Sequence, residues 1–177
     1  MGDCVKKCLF LHLIIRKTMS RFKGDHYCKV DSKGRILFPA KLKKQMPVEA
    51  PEVLVGKMNT FEKSLILYPE NVWNKLVAKT LKKLNPYNAR HDEFRRDFFR
   101  DVLEMELDGS GRILLPRRFL DDLGVEPGAK QEVVLAGQGN LIELMAKPKY
   151  QGSQLTDDER RSLAEDVMGD FQWDDED

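Results

Sequence analysis

Asp31-Ser32-Lys33-Gly34-Arg35-Ile36-Leu37-Phe38-Pro39 returns 77 residues later as Asp108-Gly109-Ser110-Gly111-Arg112-Ile113-Leu114-Leu115-Pro116, with Asp, Gly, Arg, Ile, Leu and Pro in the same places. The chain therefore contains an internal duplication. Each copy reads as strand, tight turn, strand and short helix. β-prone runs, Tyr27 to Val30 and Leu103 to Leu107, precede the aspartates, and Ser-Lys-Gly or Gly-Ser-Gly supplies the turn. Gly34 and Gly111 are expected to take the φ > 0 position. Ile-Leu-Phe and Ile-Leu-Leu then form a second run, and Pro39 and Pro116 open a helix at the first-turn position that tolerates a missing N–H. Each turn's Asp thus sits beside the next strand's Arg at one tip of the fold.

Outward from the repeats, Val53-Leu54-Val55-Gly56 and Leu65-Ile66-Leu67-Tyr68 continue the first unit as strands around a polar loop. Glu132 to Gly137 and Leu141 to Leu144 do the same in the second. A unit of about 45 residues buries too little surface to be stable alone, so the two halves are expected to pack on each other. Between them, Trp73, Leu76, Val77, Leu81 and Leu84 recur at helical spacing, Asn85-Pro86 breaks the run, and Phe94, Phe98 and Val102 mark a second stripe. This is an αα-hairpin. An aromatic stripe at such spacing is expected in a core, with a subunit interface as the alternative.

Charge is distributed unevenly. From Met19 to Pro47 eight bases, including Lys29, Lys33, Arg35, Lys43 and Lys44, face only Asp25 and Asp31. The formal net charge of +1 conceals this excess, because the last 23 residues hold ten acids and two bases. A basic cluster around a rigid turn suits a polyanion, since each phosphate neutralised releases condensed counterions. A plain solvated face is the competing reading. Asp31 and Asp108 are expected to accept hydrogen bonds from turn N–H groups and so to be structural. Arg35 and Arg112 have two compatible roles. One is an ion pair with the turn's Asp; the other is bidentate contact with a phosphate or a guanine edge. Between Val102 and Gly128 six acids outnumber three bases, so the first repeat is expected to make most of the contact, with Arg112 the surviving one of the second.

A length of 177 residues, 41% apolar and 33% charged, fits one ordinary domain or two small ones. Three cysteines, Cys4, Cys8 and Cys28, form no disulfide framework, which points to a reducing compartment. Residues 1–18 carry an apolar run, Leu9 to Ile15, that is too short to span a bilayer and lacks a cleavage signature. Cys4, Cys8 and His12 at i, i+4 and i+8 form only a weak metal pattern. The plainer reading starts translation at Met19 and leaves 1–18 as a disordered extension without function. Thr156 and Glu159 form a capping box for a helix to about Asp166, with the tail beyond Asp170 expected to be disordered. The histidines His12, His26 and His91 accompany no nucleophile at motif spacing, and Ser32-Lys33-Gly34-Arg35 lacks the frame of a phosphate-binding loop. No catalytic residue, metal or cofactor is expected.

The duplicated D-x-x-x-R turn followed by I-L-x-P, with Leu65-Ile66-Leu67-Tyr68-Pro69 and Leu84-Asn85-Pro86, resembles the MraZ family of bacterial transcriptional regulators over about residues 19–150. The resemblance implies a mixed, mainly β fold with short helices. Two tandem swapped-hairpin AbrB-type modules, at 25–71 and 102–147, would form a pseudo-dimeric β-barrel, with a helical hairpin at 72–101 and an acidic tail at 151–177. It implies a cytoplasmic, nucleoid-associated homo-oligomer, ring-shaped and not membrane-bound, that binds promoter repeats in double-stranded DNA. Regulation of the cell-division and cell-wall gene cluster, as a repressor, is the implied function. Basic residues of the first short helix, Lys43 and Lys44, would help grip DNA. An AbrB-like antitoxin is the runner-up, although the duplication argues against it; a ring-forming structural protein is a third reading.

Overall fold

Two isoleucines set the architecture. Ile36 and Ile113 stand opposite each other in a two-stranded antiparallel ribbon of β2 (Arg35–Leu37) and β6 (Arg112–Leu114), and both are fully buried. The computed structural model describes residues 22–46, 53–129 and 131–169. The other strands are β1 (Phe22–Lys29), β3 (Val53–Met58), β4 (Leu65–Pro69), β5 (Leu103–Glu106), β7 (Glu132–Gly139) and β8 (Leu141–Ala146). They form one antiparallel sheet in the order β1-β7-β8-β4-β3-β5. The helices are α1 (Ala40–Lys43), α2 (Glu70–Leu81), α3 (Ala89–Phe99), α4 (Arg117–Leu123), α5 (Lys147–Gly152) and α6 (Asp157–Met168).

The strand pairing obeys the duplication. The first strand of each repeat leaves its own half: β1 pairs with β7, and β5 pairs with β3. The second strands pair with each other, as do the last, β4 with β8. Every strand of one repeat thus pairs with a strand of the other, and neither half is complete alone. The sheet ends at β1 and β5, so its hydrogen bonding does not close, and the expected closed barrel is not formed among the described residues. Each edge strand meets the β2–β6 ribbon through an isolated bridge, Val30 with Ile36 and Leu107 with Ile113, rather than through a continuous ladder.

A single apolar cluster joins the halves. Phe22, Ile36, Leu42 and Leu54 from the first repeat meet Ile113, Leu115, Phe119 and Leu135 from the second. Full burial of each such side chain contributes about 1.5–3 kcal/mol before entropy is subtracted. Gly137 permits the closest approach to backbone, since a Cβ there would lie 2.4 Å from the Lys23 nitrogen. On the other side of β8, Glu143 is buried and accepts hydrogen bonds from Ser64 Oγ at 2.5 Å, Asn59 Nδ2 at 3.3 Å and Gln138 Nε2 at 2.5 Å. These bonds tie the β3–β4 loop to β8.

Three expectations are corrected. Pro39 and Pro116 occupy the N-cap rather than the first helical turn, because their extended backbone still belongs to the strand exit. The second helical stripe ends before Val102: Arg100 is extended and Asp101 has φ +60°, which stops α3 at Phe99. The aromatic stripe is core only in part. Trp73 is buried and stacks on Phe98 with centroids 5.6 Å apart, but α3 contains no buried residue and Phe94 is 48% exposed.

The described residues divide after Lys147 into two compact units. In the second, α6 starts with a complete capping box, in which Thr156 Oγ1 accepts from the Glu159 N–H and the Glu159 carboxylate accepts from the Thr156 N–H. Residues 1–18, with Cys4, Cys8 and His12, and the tail from Asp170 lie outside the described residues.

Candidate nucleic-acid interface

The two turns are built alike. The Asp31 N–H donates to the Arg35 carbonyl at 2.9 Å, and the Gly34 N–H donates to the Asp31 carbonyl at 3.0 Å. The Asp31 carboxylate accepts from the Lys33 and Arg35 N–H groups at 2.9 and 2.8 Å. In the second copy Asp108 accepts from the Ser110 and Arg112 N–H groups at 2.8 and 2.9 Å. Gly34 and Gly111, at φ +79° and +72°, close three-residue loops of the kind that place glycine in the left-handed position. Both carboxyls are held below their ordinary 3.8, chiefly by the backbone N–H of the following Arg. They are ionised at neutral pH and lock the turns.

The arginines differ. Arg35 Nε donates to Asp31 Oδ2 at 2.9 Å, which orients the guanidinium and leaves both Nη groups without a partner among the described residues. Arg112 is exposed, and its guanidinium has no hydrogen-bond or ion-pair partner among those residues. In the ribbon register Arg35 opposes Leu114 and Arg112 opposes Leu37. Since Ile36 and Ile113 point inward, these four side chains share the outer face in a checkerboard. The two arginines lie on its diagonal, about 7–8 Å apart at the backbone by strand geometry. The turns cross-brace each other as well: the Phe38 N–H donates to the Gly111 carbonyl, and the Leu115 N–H to the Gly34 carbonyl, both at 2.9 Å.

Lys29, Lys33, Lys43 and Lys44 are exposed. Lys29 and Lys43 line one groove of about 1010 Å³ with Tyr27, Leu37, Ser110 and Gly111, so the two repeats contribute to the same concavity. Lys33, Lys44, Arg35 and Arg112 do not line it. Two acids do, Asp25 and Glu132, and Lys147 pairs with Glu132 at 2.6 Å. Lys147 also lies over the Tyr27 ring, 5.5 Å from its centroid. Burial pushes the Cys28 thiol up to about 11, so it is protonated at neutral pH and inert as a nucleophile.

In the second repeat, Asp121 is drawn into an ion pair with Arg117 at 2.9 Å, and Arg118 pairs with Asp101. Both helix cations are therefore engaged within the chain, which leaves Arg112 as that repeat's guanidinium without a partner among the described residues. The sequence reading missed Leu37 and Leu114, exposed by 59% and 57%, and the role of Lys147. A signal was available: in a three-residue strand, two adjacent apolar residues cannot both face inward.

Comparison with known proteins follows the same division. The family model described as "MraZ protein, putative antitoxin-like" matches residues 21–97 and again 98–171. A protein of Phocaeicola vulgatus named transcriptional regulator MraZ is 36% identical over 149 residues, covering 84% of this chain and 94% of that protein. Proteins of the same name from Bacteroides fragilis and Flavobacterium psychrophilum are each 37% identical. The first match covers 74% of this chain and 80% of the relative, the second 85% and 94%.

Proposed function

The chain belongs to the MraZ family, and from that premise we propose that it is a DNA-binding transcriptional regulator whose contact surface is the outer face of the β2–β6 ribbon. One observation carries the reading: duplicated, internally locked turns hold Arg35 and Arg112 on one diagonal of an exposed ribbon. A spacing of about 7–8 Å matches roughly two base-pair steps of 3.4 Å. Arg35, oriented by Asp31, meets a phosphate or a guanine edge with little loss of side-chain freedom, and Arg112 offers a second guanidinium from an exposed side chain. Lys29, Lys33, Lys43 and Lys44 supply the sequence-independent part of the affinity. Asp31, Gly34, Asp108 and Gly111 are structural turn residues in this reading.

The exchange of strands between repeats supports treating 25–71 and 102–147 as paired DNA-binding modules of the swapped-hairpin type, with 72–101 as a helical insert and 151–177 as an acidic tail. The relatives' name supports transcription regulation, and the family resemblance supports repression of the cell-division and cell-wall gene cluster by a homo-oligomeric ring on promoter repeats. A cytoplasmic, nucleoid-associated location accompanies that role. No described helix is long and apolar enough to cross a membrane.

Affinity capture of genomic fragments by the full chain, followed by sequencing, tests this directly. Fragments containing repeated elements upstream of that gene cluster are expected to be enriched and to outcompete random duplex. Equal competition by random duplex would remove sequence-specific regulation from the reading.

A further inference from the structure

β1 is the long open edge of the six-stranded sheet, eight residues against the four of β5 at the other end. Hydrogen bonds distinguish its two sides. The Val30 N–H continues the register with β7 and donates to the Gln131 carbonyl at 3.4 Å. The Lys23 N–H donates the opposite way, to Gln45 Oε1 at 3.0 Å, as the Asp31 N–H does to the Arg35 carbonyl at 2.9 Å. Successive residues of a strand turn their peptide groups to opposite edges. Asp25 and Tyr27 therefore direct N–H and C=O away from β7, and no strand takes them among the described residues. β2 touches β1 through the isolated Val30–Ile36 bridge, beyond which Asp25 to Lys29 line the groove of about 1010 Å³ together with Leu37, Phe38 and Pro39.

We infer that this edge takes an extended peptide segment of a partner protein, added to β1 as a further strand, with an acidic residue facing Lys29 and apolar residues facing Leu37. Main-chain pairing supplies the affinity in such strand addition, and alternate side chains supply the selectivity. Asp25 and Tyr27 stand two residues apart, the repeat at which a strand exchanges N–H and C=O bonds with its neighbour. DNA offers no such ladder. Side chains of the added strand alternate between two faces. On one, Tyr27 and Lys29 stand with Lys147, whose Nζ lies 5.5 Å from the Tyr27 ring centroid and pairs with Glu132. Two lysines there meet one glutamate, so an acidic side chain is the complement. On the other, the Cys28 thiol donates to the Leu37 carbonyl at 3.4 Å beside buried Phe38, and Leu37 is 59% exposed. An apolar side chain covers that leucine. Lys29 and Leu37 also belong to the surface assigned above to DNA, so a bound peptide is expected to displace duplex. That competition rests on the functional reading; the docking itself does not.

The test pans a displayed library of short random peptides on the full chain and titrates the enriched sequence, made synthetically, into isotope-labelled protein. Enrichment of alternating apolar and acidic residues is expected. Saturating peptide should slow hydrogen exchange at the Asp25 and Tyr27 amides by at least about tenfold, and leave His26, whose N–H already faces β7, unchanged. Tyr27→Pro deletes an outward N–H at a position an edge strand tolerates and keeps the bonds to β7; it should weaken the peptide at least about fivefold. Lys29→Glu should do the same and be rescued by a peptide carrying Lys for its acid, which keeps the test decisive should Tyr27→Pro fail to fold. A library without an enriched sequence, enrichment of basic peptides, or binding that leaves the Asp25 and Tyr27 amides unprotected overturns the docking. Equal binding by the folded Tyr27→Pro and Lys29→Glu chains overturns it too. Duplex displacement is titrated separately: a peptide that docks without displacing DNA removes the shared surface and leaves the strand addition standing.

Discussion

Replacing Arg35 with alanine removes one cation from the ribbon without disturbing what locks the turn. The Asp31 carboxylate keeps its bonds from the Lys33 and Arg35 N–H groups at 2.9 and 2.8 Å, and only the Nε bond is lost. Surface ion pairs contribute little, so the melting temperature is expected to stay within about 4 °C of the parent. The effect on DNA is larger. If the six cations Lys29, Lys33, Arg35, Lys43, Lys44 and Arg112 each neutralise one phosphate, log K against log salt has a slope of about −5.4 per chain, and roughly a thousandfold of affinity is lost from 50 to 200 mM salt. With five cations the slope is about −4.5. Contact with a guanine edge would add about 1–3 kcal/mol of discrimination, or roughly 5–150-fold, on the specific site alone. Fluorescence anisotropy across a salt series, on specific and random duplexes, separates the two contributions. A well-folded Arg35→Ala chain with unchanged slope and affinity would refute the interface, and an unfolded one would assign Arg35 a structural role instead.

Four further outcomes follow from the packing. Gly137→Ala puts a Cβ 2.4 Å from the Lys23 nitrogen and 2.6 Å from the Phe22 carbonyl carbon, both backbone atoms; a loss of about 3 kcal/mol is expected in urea denaturation, and one under about 0.5 would mean β1 shifts freely. Gly34→Ala and Gly111→Ala each carry the left-handed cost of about 1–2 kcal/mol, but only Gly34 also meets Leu120 Cδ1 at 3.0 Å and the Leu115 carbonyl at 3.2 Å, so it should be the worse of the two by chemical denaturation. Glu143→Ala orphans the buried Ser64 hydroxyl, while Asn59 Nδ2 keeps Ser64 Oγ as acceptor and exposed Gln138 turns to water, and should cost roughly 1–3 kcal/mol, with Glu143→Gln milder; equal stability of all three proteins would argue that the loop is not anchored there. The depressed carboxyls of Asp31 and Asp108 contribute stability fully above their ordinary value of 3.8, and lose it as pH falls through the lower folded values. Amide resonances of Lys33, Arg35, Ser110 and Arg112 should therefore move together only below about pH 4, and movement between pH 5 and 7 would contradict this.

The sequence alone determined that two like turns exist and what closes them. Asp31, Gly34, Asp108 and Gly111 act through bonds and backbone angles that span only four residues, so local chemistry suffices to read them. It likewise marked Ile36 and Ile113 as apolar strand residues and Thr156 with Glu159 as a cap. Tertiary structure alone decided partner and side. Whether β1 pairs within its own repeat or with β7 of the other depends on contacts more than 100 residues apart, to which strand periodicity is blind. The same holds for exposure. Phe94 and Phe98 have the spacing of a core stripe, but α3 packs through Phe98 on Trp73 and under Lys57, and half of the stripe faces solvent. Leu37 and Leu114 face outward because Ile36 and Ile113 hold the inner side of a ribbon three residues long. Periodicity says which residues share a face; only the assembled chain says what that face meets.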